Sequence, residues 1–393
     1  MDIIVIVVGI ILALMFNFVN GLNDAANSIA TIVATKALSP LKAVGLAAFF
    51  NMIGPLLFST AIAKTIGKGI VESSFLTTHL ILAAMVGAVL WVFAASYFGI
   101  PVSSSHALVG GLLGAGVAMG GIGAIMWPGL TTIALLIAYT IVGGLLFAVF
   151  CSLFCYLMKE DWRKNFLLTF FAGISLTIPL LIISGVLEIK GILAVVIFIV
   201  VSPVLGMISA YILGLIIMRI FRRSNPTKLN RRFRPFQILA GSFQAIGHGA
   251  NDAQNAMGMI TAMLVAGGLI SDFDVPLWVI ISSCLAISLG TLLGGWRVID
   301  KMANKITKIR PYQGIAAGIA GSGVLTLMTS FGVPVSTTHA ISGSIMGAGT
   351  TRGYTSAVKW SNVREIVAAW FLTIPCAAIV SGLVYLVYSV IFL

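Results

Sequence analysis

The chain has 393 residues, 59% of them hydrophobic and 9% charged, with a formal net charge of +12. A soluble domain of this length cannot cover so much apolar surface, so composition excludes a water-soluble enzyme or binding module and makes lipid the solvent. Nor does the charge mark a nucleic-acid binder, because the cations sit in short loops between apolar runs, where the positive-inside rule puts them.

In chain order, Met1 and Asp2 lead straight into the apolar run 3–18 with no basic stretch ahead of it, so this segment is expected to remain as a span. The module Gly21-Leu22-Asn23-Asp24-Ala25-Ala26-Asn27 follows directly. On continuous helix Asn23 and Asn27 share a face. Gly21 suggests that the helix is interrupted here, freeing backbone carbonyls. Amide oxygens, the Asp24 carboxylate and free carbonyls would then form a hard-oxygen cage suited to sodium. The plainer alternatives are a carboxylate that caps a broken helix and asparagines that act as interhelical glue.

Apolar runs 43–62 and 76–98 come next, separated by a loop holding Lys64, Lys68 and Glu72. In Gly99 to Ala107 a proline precedes three hydroxyl residues and a histidine. Pro101 stops one helix, and Ser103, Ser104 and Ser105 take the cap and first turn of the next. Free N–H groups, hydroxyls and the positive helix end make an anion cradle, unless the segment is an ordinary loop. Residues 107–120 are short and glycine-rich, which suits a re-entrant hairpin, and His106 either caps it or assists the anion.

Spans 131–158, 166–187 and 192–218 complete the first half, 1–218. Cys151 and Cys155 share a helix face, while Cys284 and Cys376 are isolated, so neither a disulfide framework nor a zinc site is expected, and no cofactor. Arg219, Arg222, Arg223, Lys228, Arg231, Arg232 and Arg234 mark 219–235 as a basic cytoplasmic linker.

The second half, 236–393, repeats the first. Gly249-Ala250-Asn251-Asp252-Ala253-Gln254-Asn255 matches the first module at five of seven positions, and Gly332 to Ala340, with Ser336, Thr337, Thr338 and His339, matches Gly99 to Ala107 at six of nine. The offsets are 228 and 233, so one ordered unit occurs twice. Spans 277–293 and 366–393 belong to this half, and His79 and His248 receive no role.

Loop charge suggests how the copies sit. The first passes from an uncharged start to the mixed loop at 64–72. The second starts at the basic linker, passes Asp272 and Asp274, then reaches Arg297, Lys301, Lys305, Lys308 and Arg310. This fits insertion from opposite sides with both termini outside, although Lys64 and Lys68 then lie on the outer face against the rule. The expected fold is an all-α polytopic membrane protein of two inverted-topology repeats with broken helices and re-entrant hairpins. Of eleven acidic residues, nine fall in loops or at span ends; Asp24 and Asp252 remain at depth and are functional candidates.

These paired motifs resemble the inorganic phosphate transporter (PiT) family, whose hallmark is a Gly-Ala-Asn-Asp-x-x-Asn-Ala module in inverted halves. Gly249 to Ala256 fits it nearly throughout; Gly21 to Ser28 departs at Leu22 and Ser28 but keeps the core. The resemblance implies phosphate as the substrate, coupled to sodium in some members and protons in others, with metal-phosphate or sulfate carried by a few. It also implies a homodimer in the plasma (inner) membrane. Duplication alone could not name phosphate. The expected mechanism is sodium-coupled phosphate import by alternating access, with the hydroxyl triplets and both aspartates on the anion, and with Asn23, Asp24, Asn27, Asn251, Asp252 and Asn255 holding sodium. Sodium is preferred to a proton because asparagine oxygens bind a metal ion but take up no proton. An intramembrane aspartyl protease would need two close carboxylates sharing a proton, but neither paired asparagines nor hydroxyl triplets. A passive anion channel would need no carboxylates beside its filter.

Overall fold

The computed structural model describes residues 3–157, 166–189, 191–353 and 357–392, so Met1, Asp2 and the final residues of the expected spans 131–158 and 366–393 lie outside the described part. The described residues are almost entirely helical: α1 (Ile3–Ala34), α2 (Pro40–Ile53), α3 (Ala61–Lys68), α4 (Thr78–Phe98), α5 (Ser104–Gly120), α6 (Leu130–Leu157) and α7 (Phe166–Ile183) come first. They are followed by α8 (Gly191–Ile220), α9 (Pro226–Ala266), α10 (Leu277–Leu293), α11 (Trp296–Asp300), α12 (Pro311–Ser330), α13 (Thr337–Thr350) and α14 (Trp360–Phe392). Seven of the described helices are long and apolar enough to cross a bilayer, and the α10–α11 pair, bent by 66°, adds an eighth.

The breaks fall elsewhere than expected. α1 runs unbroken through Gly21 to Asn27, and α9 through Gly249 to Asn255. Carbonyls there stay in the helical ladder and are not freed for a cation. Both glycines serve close approach instead: a β-carbon on Gly21 would lie 2.1 Å from the Ile287 carbonyl oxygen, and one on Gly249 would lie 2.3 Å from that of Asn51. The real interruptions follow the second helix of each half. The run 43–62 is divided by a 3₁₀ turn at Gly54–Leu57, where Pro55 has no N–H to continue the ladder. α10 ends at Gly294, whose positive φ of 64° turns the chain into α11.

The basic stretch 219–235 is mostly helix as well, since α8 reaches Ile220 and α9 begins at Pro226, leaving 221–225 as the turn. Proline suits a first helical position and arginine is a good helix former.

α1 and α9 run antiparallel through the centre. Gly9 near the start of α1 packs on Met263 near the end of α9, while Ile32 packs on Gly241. Hairpin α4–α5 rests on α14, with Gly110 and Gly114 against the carbonyls of Ile374 and Ala378. Hairpin α12–α13 rests on α8 in the same way, with Gly343 and Gly347 against those of Pro203 and Met207. α6 and α7 pack chiefly on each other. Their outer faces carry Leu146, Phe150, Leu167 and Leu168, all about two-thirds exposed, the surface expected against lipid chains.

Candidate functional site

Midway along α1 and α9 the two Asn-Asp-x-x-Asn modules face each other, and the tips of both hairpins reach them. Every predicted site residue is buried, from 0% exposure at Thr338 to 5% at Ser105. Ser103 caps α5 by accepting from the His106 N–H, and Ser336 caps α13 by accepting from the His339 N–H, each at 3.3 Å. These caps fix the first turns, so the next two hydroxyls of each hairpin point at the modules.

Several of the contacts cross between halves. The Asn27 amide donates to Thr338 Oγ1 at 3.0 Å and Thr337 Oγ1 at 3.3 Å, and the Asn255 amide donates to Ser105 Oγ at 2.9 Å. Thr338 Oγ1 lies 3.0 Å from Asp24 Oδ1, and Thr337 Oγ1 lies 3.2 Å from Asp252 Oδ2 and 3.5 Å from Asp24 Oδ2. Ser104 donates to Asn20 Oδ1 at 2.7 Å and lies 3.5 Å from Asp24 Oδ2. The predicted residues thus converge on one place, with Ser103 and Ser336 as the caps behind it.

The four module asparagines have a common arrangement. Their amide nitrogens donate, Asn23 to Ser96 Oγ at 2.8 Å and Asn251 to the Val335 carbonyl at 2.9 Å. The Oδ1 atoms of Asn23, Asn27, Asn251 and Asn255 are buried without a hydrogen-bond partner. Buried acceptors of this kind carry a desolvation cost that a bound cation or water would remove, so these oxygens are available to a hard cation even though the helices are unbroken.

Two residues of the site escape the motif. Asn20 takes the Ser104 hydroxyl, and its counterpart at offset 228, His248, is fully buried with Nε2 3.4 Å from Asp252 Oδ2 and 3.9 Å from Asp24 Oδ2. Asn51 on α2 orients the ring. Thr291 Oγ1 donates to the Ile287 carbonyl at 2.9 Å and accepts from Asn51 Nδ2 at 2.9 Å, which turns Asn51 Oδ1 to His248 Nδ1 at 3.1 Å. Nδ1 is therefore the N–H, and Nε2 faces the carboxylates. His248 is traceable in the sequence: it lies four residues before Asp252, on the same helix face. His106 and His339 stand behind the tips, ring to ring at 4.8 Å, with His339 stacked on Trp370 at 4.1 Å. The other unassigned histidine, His79, pairs with Tyr388 on α14 at 2.8 Å, away from the site.

Ligand atoms of Asp24, Asp252 and His248 lie within 4.8 Å of one another. Two ionised carboxylates at that range repel by about 3 kcal/mol at an effective dielectric near 20, so positive charge must accompany them. The site can therefore gather hydroxyl donors for an anion and oxygen acceptors for cations in one water-poor space.

Comparison with known proteins agrees with this geometry. Residues 20–381 match the phosphate transporter family. A probable low-affinity inorganic phosphate transporter of Rhizobium meliloti is 40% identical over 97% of this chain and 96% of its own length. One of Bacillus subtilis is 34% identical over the full length of both. Among solved structures, that of a sodium-dependent phosphate transporter aligns with a TM-score of 0.70 at 25% identity, covering 99% of this chain and all of that one.

Proposed function

Given that the chain belongs to the phosphate transporter family, whose members are transporters and not enzymes, we propose that it imports inorganic phosphate by symport with sodium. In this reading Ser104, Ser105, Thr337 and Thr338 donate to phosphate, Asp24 and Asp252 accept from its protonated oxygens and neutralise cations, and the four asparagine oxygens complete the sodium sites. The observation that carries it is the set of buried, unpartnered Oδ1 atoms at Asn23, Asn27, Asn251 and Asn255. The sodium dependence of the structurally similar transporter supports it.

Access alternates between the two faces in this proposal, and the halves sit inverted in the plasma membrane, with the basic turn inside and both termini outside. The antiparallel α1 and α9 and the paired glycine contacts support the inversion. Cysteines at Asn225 and Asp272 should react with an impermeant reagent from opposite faces; reaction from the same face rejects it.

One observation favours a second reading, coupling to protons. With Nδ1 committed to Asn51, His248 Nε2 would meet two carboxylates with its lone pair unless it bears a proton or a cation intervenes. The test is uptake of labelled phosphate into proteoliposomes under separately imposed gradients. Sodium symport requires accumulation driven by a sodium gradient at constant pH. Equal accumulation in sodium-free choline buffer under a pH gradient alone rejects sodium and selects the proton.

A further inference from the structure

The short helices that follow each break make matching contacts at opposite ends of the molecule. α3 lies beside the C-terminal half of α9 and the 272–274 loop, while α11 lies beside the C-terminal half of α1, at the end where α9 begins. Each seats its first turn on a glycine in the turn of the other half's hairpin. A β-carbon on Gly332 would lie 2.9 Å from the Ala61 methyl, and one on Gly99 would lie 2.8 Å from Arg297 Cβ. Both glycines have positive φ, 67° and 69°, so these turns are kept in a shape other residues resist. They lead within a few residues to the hydroxyls of the site.

We infer that α3 and α11 are the two gates of the phosphate site, α3 closing it at the α9–α10 loop and α11 closing it at the basic turn. The inference rests on the alternating access proposed above and adds its moving parts. In this structure both contacts are made and every site residue is buried, which is the occluded state.

Each gate is tied to a module, so occupancy can reach it. In α3 the Ala63 N–H donates to Gln254 Oε1 at 3.2 Å, inside the second module, and Thr65 Oγ1 donates to the Gly332 carbonyl at 3.3 Å. Before α11, Gly295 lies so near the first module that a β-carbon would come 2.5 Å from the Leu22 carbonyl. Each gate also has outer contacts. α3 is held to the α9–α10 loop by Lys64 with Asp274 at 3.4 Å, an exposed pair, and by Lys68 over the Phe273 ring. Exposed pairs of this kind contribute little. Arg297 donates to the Tyr97 carbonyl and lies over its ring at 4.9 Å, and Lys301 holds Glu365 of α14 at 3.0 Å. These contacts are exposed too, so neither gate is the tighter by its outer latch. The pair Lys64 and Lys68, out of place under the positive-inside rule, has a role on the α3 gate.

The test uses side-specific labelling, which needs no transport. In a chain lacking its native cysteines, Val102→Cys reports on the tip before α5 and Val335→Cys on the tip before α13. Arg297→Ala should speed reaction of Val102→Cys with an impermeant maleimide by about tenfold from the face of the basic turn, the effect of a shift near 1.4 kcal/mol, and leave the opposite face unchanged. Thr65→Ala with Lys64→Ala should speed Val335→Cys from the α3 face only. Arg297→Lys, which keeps the charge but loses the flat stacking group, should fall between. Acceleration from both faces alike, or from neither in protein that elutes as wild type, overturns the gates. Acceleration from the single face opposite to the one proposed for the basic turn leaves the gates standing and rejects the membrane orientation instead.

Discussion

The two modules share a backbone arrangement but differ in side chains in and around the site. Gly21 meets the Ile287 carbonyl where Gly249 meets that of Asn51, so positions 51 and 287 correspond just as 20 and 248 do. The first half has Asn20 and Ala26, faced by Ile287; the second has His248 and Gln254, faced by Asn51. Duplication built the cradle, since both hairpins present hydroxyls and both modules present asparagine oxygens. Divergence then placed one titratable ring between the carboxylates, joined it to α2 through Asn51, and linked α3 to the module through Gln254. In the proposed function, symmetry would supply recognition of the anion, and the asymmetric residues would adjust charge and closure.

The aspartates break this comparison most severely. Asp24→Asn and Asp252→Asn should each lower cation-coupled uptake by roughly 4 kcal/mol, the attraction of one carboxylate for a cation about 4 Å away at an effective dielectric near 20. If the halves are unequal, Asp252→Asn, which takes away the nearer partner of His248, will also change the pH profile of uptake, and Asp24→Asn will change it less. Uptake scanned across pH in proteoliposomes checks both.

His248→Asn, which gives the second half the residue of the first, removes the ring whose Nε2 lies 3.4 Å from Asp252 Oδ2 and should lower uptake by roughly 1–3 kcal/mol, the cost of leaving a buried polar group without its neighbour. Phosphate binding in detergent should fall by less. An equal fall in both would reduce His248 to a packing residue.

Gly21→Ala and Gly249→Ala sharpen the symmetric side of the comparison. Each drives a methyl group into a backbone carbonyl that cannot swing aside, so both should destabilise by roughly 1–3 kcal/mol, to a similar extent, and lower the thermal midpoint in detergent. A neutral result at either would mean that α1 and α10, or α9 and α2, are not in the contact described.

Much of this is legible in the sequence, for a physical reason. Carboxylates, amides and hydroxyls within apolar runs need partners, so their recurrence in order points to one site shared by both halves. The proline before each hydroxyl triplet gives the caps at Ser103 and Ser336. The glycines mislead. Gly21 and Gly249 look like breaks, but they permit helices to touch, and a glycine that breaks a helix cannot be told from one that admits a neighbour until the neighbour is known. The breaks at 54–57 and 294–295 lie inside or beside runs that read as plain spans. His248 has a local signal in its spacing from Asp252. Asn51 and Thr291 have none, because their meeting with His248 is made entirely by packing of α2 and α10 against α9.

Ser104→Ala and Thr337→Ala are the mildest tests. Each removes one donor at a hairpin tip and should weaken phosphate binding by roughly 1–2 kcal/mol, nearly equally if the tips share the anion. A loss at one alone would place phosphate on a single hairpin.

The central claim is that phosphate and cation load together in one site made by both halves. Calorimetric titration of phosphate at several fixed sodium concentrations and constant pH tests it most directly. The account predicts that phosphate affinity rises with sodium, and that sodium affinity rises by the same factor with phosphate, because linkage is reciprocal. A phosphate affinity unchanged from sodium-free to saturating sodium would contradict it.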